Sequence, residues 1–277
     1  MKSIGIVAAM HDEIAGLVQE MGPDVDIHTI GQRDYYVGSL HSRPCVVVLA
    51  RIGKVAAAAT TVTLIQRFGV GEIVFTGLAG AVAGHVRVGD VVVARTLLQH
   101  DLDASPLFPA YEVPLLGRSH FDADAELSAR LAGCVQNYLD DDLARDVPAD
   151  IRRQFGLSNP VLHRGMIISG DQFVGDARQV QALRHALPDA LCVEMEGAAV
   201  AQICHEYGVP FAVMRTISDS ADDTASVDFS AFLASVARVY ANGVLRRFLA
   251  DAVVADNNIT HDAPQPAHRQ TGGGAAG

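Results

Sequence analysis

Charged residues are scarce in this sequence, and long apolar runs are absent. Asp, Glu, Lys and Arg together make up 19% of the 277 residues, which favours a fold with much buried surface. A membrane-spanning helix needs about 18 or more consecutive apolar residues, and no run of that length occurs. The N-terminal stretch MKSIGIVAAMHDEIAGL has a short apolar core, which predicts a first strand rather than a signal peptide. We therefore expect no membrane association.

Cysteine is also sparse, and the four cysteines are widely separated. None forms a CxxC pair, and three of them lie inside apolar runs. This pattern is typical of reduced, buried cysteines in a cytoplasmic protein. The four residues are Cys45, Cys134, Cys192 and Cys204.

The net charge of -11 argues against a binding surface for nucleic acid or an anionic membrane. It does not exclude a small anionic ligand, because a local site can oppose the net charge. Hydrophobic residues make up 49% of the chain, which is sufficient for a sizeable core.

Apolar runs that predict strands alternate with amphipathic patterns that predict helices. Such alternation indicates an α/β sandwich with partly parallel strands, and a hairpin predicted in residues 25–40 makes the sheet mixed. An apolar run from Leu191 passes into a further helix that ends before Gly208. The other predicted strands are 2–10, 44–50, 72–81, 89–95, 161–169 and 210–217, and the other predicted helices are 12–21, 54–68, 123–143, 177–186 and 229–254.

No domain break is evident, so we expect one domain over residues 1–255. Residues 256–277 are polar, contain Pro264 and Pro266 and end in GGGAAG, which predicts a disordered tail. Two long connections are also predicted: a proline-rich loop at 100–120 and an exposed polar excursion at 140–159.

Common catalytic and nucleotide-binding motifs are missing. The sequence contains no GxxxxGK[ST], HExxH or GxSxG, and its eleven histidines show no metal-ligand spacing. Gly53-Lys54 begins a predicted helix and is a weak candidate for anion binding. The segment from His100 to Asp103 (HDLD) is predicted to be a loop anchored by local hydrogen bonds rather than a metal site. We expect no metal.

Carboxylates follow the ends of four predicted strands. Each could simply cap a helix, and Arg215 is a candidate buried partner for one of them. Their convergence, without metal ligands or a nucleophile–histidine pair, indicates acid/base chemistry on a neutral or cationic substrate. These acidic residues are Asp12, Glu13, Asp171, Glu194, Glu196 and Asp219.

Several segments resemble the 5′-methylthioadenosine/S-adenosylhomocysteine nucleosidases, within the wider purine nucleoside phosphorylase/uridine phosphorylase family. The resemblance covers most of residues 1–250 and implies a three-layer α/β/α sandwich with a central mixed β-sheet. It also implies a homodimer that hydrolyses the N-glycosidic bond between adenine and a 5′-thio-substituted ribose, without a cofactor. The matching segments are IGIVAAMHDEI, RIGKVAAAATT, TGLAGAV with VGDVVVA, ISGDQFV, VEMEGAAVAQICHEYGVPF and MRTISDSAD.

The resemblance assigns the two proton transfers to Glu13 and Asp219. Glu13 matches the general base that deprotonates the attacking water. Asp219 matches the acid that protonates the purine at N7, and Ser218 helps to orient it. The oxocarbenium-like transition state of glycosidic cleavage is stabilised by nearby carboxylates.

The resemblance also assigns the substrate contacts. Glu196 matches the carboxylate that holds the ribose hydroxyls, with Met195 and Met10 on the sugar side. Phe173 matches the ring that stacks on the base, and Val174 matches the position whose backbone reads the adenine edge.

Two further carried-over positions lie farther from the sugar and base. Arg215 matches a positive group near the water and the carboxylates. Phe108 lies in the 100–120 loop, which in the family reaches the neighbouring subunit's 5′ pocket. One departure stands out, since Leu78 occupies a turn where nucleosidases often have serine, so that a hydroxyl near the ribose or the water is missing.

Two other functions fit the sequence. A phosphorylase of the same fold would need basic residues around phosphate; Arg51 and Arg87 are available, but the Glu13 carboxylate would repel the anion. A non-catalytic nucleoside-binding or storage protein would not need Glu13, Glu196 and Asp219 together. The preferred nucleoside also stays open among methylthioadenosine, adenosylhomocysteine, 5′-deoxyadenosine and aminofutalosine, which differ at the 5′ end.

Overall fold

The apolar runs of the sequence form the strands of one mixed sheet. A computed structural model describes residues 2–220 and 225–260, while the side chains of residues 11–13, 225–228 and 251–260 lie outside that description. The strands within the described part are β1 (Ile4–Ala8), β2 (Asp26–Ile30), β3 (Arg33–Leu40), β4 (Arg43–Leu49), β5 (Glu72–Phe75), β6 (Leu78–Ala81), β7 (Val91–Gln99), β8 (His120–Asp122), β9 (Leu162–Ser169), β10 (Ala190–Glu194) and β11 (Phe211–Asp219).

The strand order is β2-β3-β4-β1-β5-β11-β6-β10-β9-β7-β8. Strands β4, β1, β5 and β11 run parallel to one another, whereas β3 is antiparallel to both β2 and β4. An additional pairing of β11 with β7 closes the second half of the sheet into a ring. Strands β7, β9 and β10 are parallel to one another and run opposite to β11.

Helices cover both faces of this sheet. The helices of the described part are α1 (His11–Glu20), α2 (Lys54–Phe68), α3 (Ala125–Asn137), α4 (Leu143–Asp146), α5 (Ala149–Gln154), α6 (Ala177–Ala186), α7 (Gly197–Tyr207), α8 (Ala225–Phe232) and α9 (Arg238–Thr260). Two short π-helical segments, 138–142 and 233–237, connect α3 to α4 and α8 to α9.

Side chains alternate between two cores along the central strand β1. Ile4 and Ile6 pack on one face with α1, α3 and α9, whereas Val7 packs on the other with α2 and α7. This alternation follows from the two-residue period of a strand. The three-layer α/β/α sandwich with a central mixed sheet, predicted from the sequence, is confirmed.

The segment 72–81, predicted as one strand that ends in a small-residue turn, is instead two strands, β5 and β6. The chain changes neighbours at Thr76-Gly77, where the Thr76 amide donates to Val7 and the Gly77 carbonyl accepts from Thr216. Because the residues of this segment are small and apolar, the sequence did not distinguish a turn from a second strand.

The polar segment 140–159 is exposed at most of its positions, as predicted, but it is not an excursion away from the core. This segment is largely helical, and Leu143, Val147 and Leu157 are buried in the core beside α9. Its acidic residues lie outside that apolar face, and Asp142 binds Arg247 of α9 at 2.5 Å. Because the segment contains many acidic residues, its sequence pattern did not reveal the apolar pair spaced i, i+4 at 143 and 147.

The last helix is longer than the predicted 229–254. It begins as α8 at Ala225, passes through residues 233–237 and continues as α9 to Thr260. The predicted tail therefore starts within a helix, and residues 261–277 lie outside the described part. The division into a domain and a tail stays a prediction.

Two further expectations concern the burial of the cysteines and the presence of a membrane-spanning helix. All four cysteines are buried and outside any disulfide, as the sequence predicted. Among the described helices, none combines the length and apolarity that crossing a membrane requires.

Candidate active site

A cavity lies at the carboxyl ends of β1, β9, β10 and β11, where open α/β sheets place ligands. Most of its lining is apolar, and two carboxylates predicted to act on the substrate share its wall. The structure therefore brings together most of the site residues predicted from the sequence. Those that line the cavity are Met10, Phe173, Val174, Met195, Glu196 and Asp219.

Asp219 is the last residue of β11 and is only 2% exposed. The Ser218 hydroxyl lies 2.7 Å from Asp219 Oδ2 and 3.4 Å from the Ala79 carbonyl oxygen. Ser218 itself is fully buried behind the cavity wall. It therefore orients the Asp219 carboxyl, in agreement with the expected role of an orienting residue.

Glu196 stands at the start of α7 and is 5% exposed. Its Oε1 atom accepts a hydrogen bond from the Gly53 amide at 2.8 Å, at the N-terminus of α2. An amide hydrogen bond and the positive end of a helix both favour the charged carboxylate. The Gly53 amide therefore holds one oxygen of Glu196 in place at the cavity wall.

Glu194, two residues earlier, has a different environment. Its carboxylate accepts from the Gly197 amide at 2.8 Å and from the buried Ser169 hydroxyl, and so caps the first turn of α7. Arg215 donates to it through Nε at 3.1 Å and through Nη2 at 2.6 Å. The Arg215 guanidinium also stacks 4.0 Å from the centre of the Phe75 ring. The expectation that Arg215 is the buried partner of one acid is confirmed.

Arg215 is 1% exposed and is not part of the cavity wall. Its predicted contact with substrate therefore stays a prediction. The structure supports an indirect effect, in which Arg215 holds the Glu194 carboxylate in position. Phe108 is half-buried in the 100–120 loop and does not line the cavity of its own chain. Glu13 belongs to α1, which follows β1 at the cavity edge, but its side chain lies outside the described part.

The aromatic wall contains a residue that sequence reasoning missed. Phe229 of α8 lines the cavity, and its ring meets that of Phe173 edge-to-face at 6.0 Å between centroids. The Phe173 ring is 46% exposed and so is accessible to a flat ligand. Ile52 and Leu78 add apolar surface to the same cavity, with Leu78 standing where a serine hydroxyl was expected. No signal in the sequence separates Phe229 or Ile52 from ordinary core residues.

The weak candidate for anion binding at Gly53-Lys54 is already filled by the chain's own carboxylates. The Gly53 amide donates to Glu196, and the Lys54 amide donates to Asp171 Oδ1 at 2.8 Å. Asp171 therefore serves the helix start and is not part of the cavity wall.

The two arginines considered for phosphate also lie elsewhere. Arg51 donates to the carbonyl of Gln32, and Arg87 is exposed in a separate cavity beside His85 and Asp90. Neither lines the cavity that holds Asp219. A phosphate cluster next to that residue thus gains no support from them.

The His100–Asp103 loop is anchored by hydrogen bonds, as predicted. Asp103 accepts from the Ser105 amide at 2.9 Å, and Asp101 accepts from the Asp171 amide at 2.7 Å. Burial opposes the charge of Asp101, but hydrogen bonds from Lys54 and Asp171 lower its pKa overall. Burial lowers the pKa of His100, which favours its neutral form. Over residues 2–220 and 225–260, no group of three or more side chains is arranged to hold a metal.

Known proteins resemble this chain over most of its length. The model of the phosphorylase superfamily matches residues 3–250. The aminodeoxyfutalosine nucleosidase of Helicobacter pylori (strain ATCC 700392 / 26695) is 34% identical over 241 residues, covering 87% of this chain and 95% of that protein. The 5′-methylthioadenosine/S-adenosylhomocysteine nucleosidase of Oceanobacillus iheyensis is 32% identical over 231 residues, covering 83% and 92%.

Solved structures give the same picture. The 5′-methylthioadenosine/S-adenosylhomocysteine nucleosidase from Neisseria meningitidis, in complex with methylthio-immucillin-A, superposes with a TM-score of 0.78 at 30% identity. That comparison covers 91% of this chain and 100% of the other. The native futalosine hydrolase of Helicobacter pylori superposes with a TM-score of 0.76 at 33% identity, covering 90% and 98%.

Proposed function

The chain belongs to the phosphorylase superfamily, and from that premise we propose that it hydrolyses the N-glycosidic bond of 5′-methylthioadenosine, S-adenosylhomocysteine or both. The products are adenine and the corresponding thioribose. The observation that carries this proposal is the pairing of Asp219 and Glu196 on one largely apolar cavity wall. Relatives named as nucleosidases support the same reaction class.

Asp219 is the general acid in this mechanism. It donates a proton to N7 of the purine while the bond between C1′ and N9 breaks, so that adenine leaves as a neutral molecule. Ser218 orients the Asp219 carboxyl, and the 2% exposure of Asp219 keeps that carboxyl away from bulk water. The proton therefore passes to the purine rather than to solvent. General acid catalysis of this kind contributes roughly 10² to 10⁴ in rate.

Glu196 binds the ribose hydroxyls. Its negative charge, held by the Gly53 amide, lies on the sugar side of the cavity beside Met195. A positive charge develops on the ribose ring as the glycosidic bond breaks, and a preorganised carboxylate stabilises it. Phe173 and Phe229 supply the flat apolar surface for the base.

Glu13 is the general base. The oxygen of a water molecule attacks C1′, and Glu13 accepts the water's proton. Its position in α1, directly after the Ala9–Met10 segment of the cavity wall, supports this assignment. A carboxylate there also disfavours phosphate as the nucleophile, which supports hydrolysis over phosphorolysis.

Aminodeoxyfutalosine is a second candidate substrate. The 34% identity to the Helicobacter pylori aminodeoxyfutalosine nucleosidase favours it, since that level matches the identity to methylthioadenosine nucleosidases. The candidates differ at the 5′ end of the nucleoside, where Phe108 of the partner subunit is expected to contribute. A cytoplasmic homodimer remains part of the proposal. The exposed Leu107 and Leu115 on the same loop support the dimer.

Adenine release from a nucleoside panel tests the function. The wild-type enzyme should release adenine from one or more of these nucleosides at the same rate with and without phosphate. Asp219→Asn should bind substrate but lose about 10²-fold or more in kcat, because Asn cannot donate the proton. The control is Asp189→Asn, which removes an exposed carboxylate before β10 and should retain the wild-type rate.

Two results would contradict the proposal in different ways. Activity that disappears in phosphate-free buffer would identify a phosphorylase. Nucleoside binding without release of any base would identify a binding or storage protein. A near wild-type rate for Asp219→Asn would remove that residue from the proton transfer.

A further inference from the structure

Glu196 is held in place by a group of residues that do not themselves line the cavity. We propose that Lys54, Asp101 and Asp171, which we term the Lys54 cluster, position the Glu196 carboxylate for the ribose hydroxyls. The inference rests on the proposed function, because it assigns positioning residues to that reaction. It concerns residues from three separate segments of the chain.

The Lys54 cluster is a closed ring of contacts. The Lys54 amide donates to Asp171 Oδ1 at 2.8 Å, and the Asp171 amide donates to Asp101 Oδ2 at 2.7 Å. The Lys54 ammonium then binds Asp101 Oδ1 at 2.5 Å, which completes the ring. It therefore joins the start of α2, the loop after β7 and the loop after β9.

This ring fixes the direction in which the Gly53 amide points. Gly53 has φ 99°, and its amide donates to Glu196 at 2.8 Å while the next amide, of Lys54, donates to Asp171. A displacement of Asp171 would rotate the peptide between Gly53 and Lys54. That rotation would shift the neighbouring Gly53 amide, which donates to Glu196. The Lys54 cluster thus acts on Glu196 through the two peptide units that meet at the Gly53 Cα.

The same ring also fixes part of the base-binding wall. Asp171 immediately precedes Gln172, Phe173 and Val174, all of which line the cavity. Its backbone amide is held by Asp101. One cluster therefore sets the distance between the carboxylate for the ribose and the wall for the base.

The contact of Lys54 with Asp101 is well sheltered for an ion pair near the surface. The side chains are 15% and 27% exposed, so solvent screens their attraction less than in a fully exposed pair. Asp171 Oδ2 lies 3.9 Å from the same ammonium. If Asp101 lost its charge, Lys54 would move toward Asp171 and pull it away from the helix start.

The preference for ribose hydroxyls tests this positioning role. The measurement compares kcat/KM for 5′-methylthioadenosine with that for its 2′,3′-dideoxy analogue, which lacks the hydroxyls that Glu196 holds. Asp101→Asn should reduce this preference by about tenfold, since misplacing one hydrogen bond to a charged group costs roughly that factor. General loosening of the fold would lower both values together and leave their ratio unchanged.

The chain offers matched variants. Asp103→Asn removes an exposed carboxylate two residues along the same loop and should leave the preference at the wild-type value. Lys54→Met removes the ammonium and should reduce the preference as Asp101→Asn does, which covers the case in which Asp101→Asn does not fold. Lys54→Arg keeps the charge and should restore most of it.

The outcomes separate this inference from the proposed function. An active wild type whose hydroxyl preference is unchanged in both Asp101→Asn and Lys54→Met would overturn the role of the Lys54 cluster alone. An equal loss on both nucleosides would also overturn it. A wild type that releases adenine from neither nucleoside would overturn the proposed function and the positioning role with it.

Discussion

Removing Arg215 alone should strongly destabilise the protein. Arg215→Met leaves the Glu194 carboxylate buried without the guanidinium, which now donates to it at 2.6 and 3.1 Å. Breaking one partner of a buried ion pair typically costs about 3–5 kcal/mol. Arg215→Met also removes the stacking of the guanidinium on Phe75, whose ring centre lies 4.0 Å away, so the loss of stability includes this cation–π contact.

A second substitution distinguishes the loss of the pair from the loss of packing. In Arg215→Met/Glu194→Gln the buried charge is removed with its partner, so the double variant should be more stable than Arg215→Met. Glutamine can still accept a hydrogen bond from the Gly197 amide. Glu194→Gln alone should also be destabilised, since the buried Arg215 guanidinium then loses the charge that Glu194 supplies.

Urea unfolding followed by circular dichroism provides the measurement. The free energy of unfolding should fall by about 3–5 kcal/mol in Arg215→Met. For a chain of this size the melting temperature should drop by roughly 6–20 °C, at about 2–4 °C for each kcal/mol. The matched control is Arg178→Met, which removes an exposed arginine on α6.

Two results would refute this account of Arg215. One is a change in unfolding free energy below about 0.5 kcal/mol together with a raised KM, as expected of an arginine that acts only on substrate. The other is a double variant whose loss equals the sum of the single losses, because a coupled pair cannot be additive.

Two further predictions concern the start of α2. Gly53→Ala should lower the unfolding free energy by about 1 kcal/mol or more and raise KM for methylthioadenosine. The reasons are that Gly53 has φ 99° and that a Cβ atom there would lie 3.3 Å from Asp171 Oδ1. Urea unfolding and steady-state kinetics measure the two effects, and an unaltered KM would contradict the prediction. Because the pKa of Asp101 is lowered in the folded state, its contribution to stability is present above the unfolded pKa of about 4 and is lost as the pH falls through the folded value. The stability difference between wild type and Asp101→Asn should therefore vanish in acid, and urea unfolding at several pH values would reveal a constant difference if this is wrong.

The sequence predicted the fold because its strongest signals are local. Apolar runs such as β1 and β11 and the Gly69 and Gly208 helix ends each depend on a few neighbouring residues. Glu196 and Asp219 each follow an apolar run, and the rule that α/β sheets bind ligands at strand ends predicted their convergence. These features needed no knowledge of long-range packing.

The features that were missed depend on contacts between distant segments. Phe229 reaches the cavity only because α8 folds back beside Phe173, more than fifty residues earlier in the chain. The buried face at Leu143 and Val147 depends on α9, which follows about a hundred residues later. Neither pairing leaves a local pattern that distinguishes it.

Asp171 and Gly53-Lys54 show how separate predictions can describe one interaction. The sequence indicated an acid after a strand and a possible anion site at a helix start, without any reason to join them. In the structure Asp171 is the anion at that helix start, together with Glu196. Joining them requires the tertiary fold, because β4 and β9 are not neighbours in the sheet and only the packed chain brings the start of α2 to the loop after β9.

Glu194 and Glu196 show why residue type alone does not assign a role at this site. Both line the cavity and both are nearly buried, at 6% and 5% exposure. Glu194 already meets a guanidinium, a hydroxyl and amides of α7, so its charge is neutralised within the protein. Glu196 Oε1 accepts a hydrogen bond from the Gly53 amide at 2.8 Å, which fixes this carboxylate at the start of α2. Because Glu194 is committed to Arg215, Ser169 and α7, it belongs to the scaffold behind the cavity, and the proposed contact with the ribose stays with Glu196.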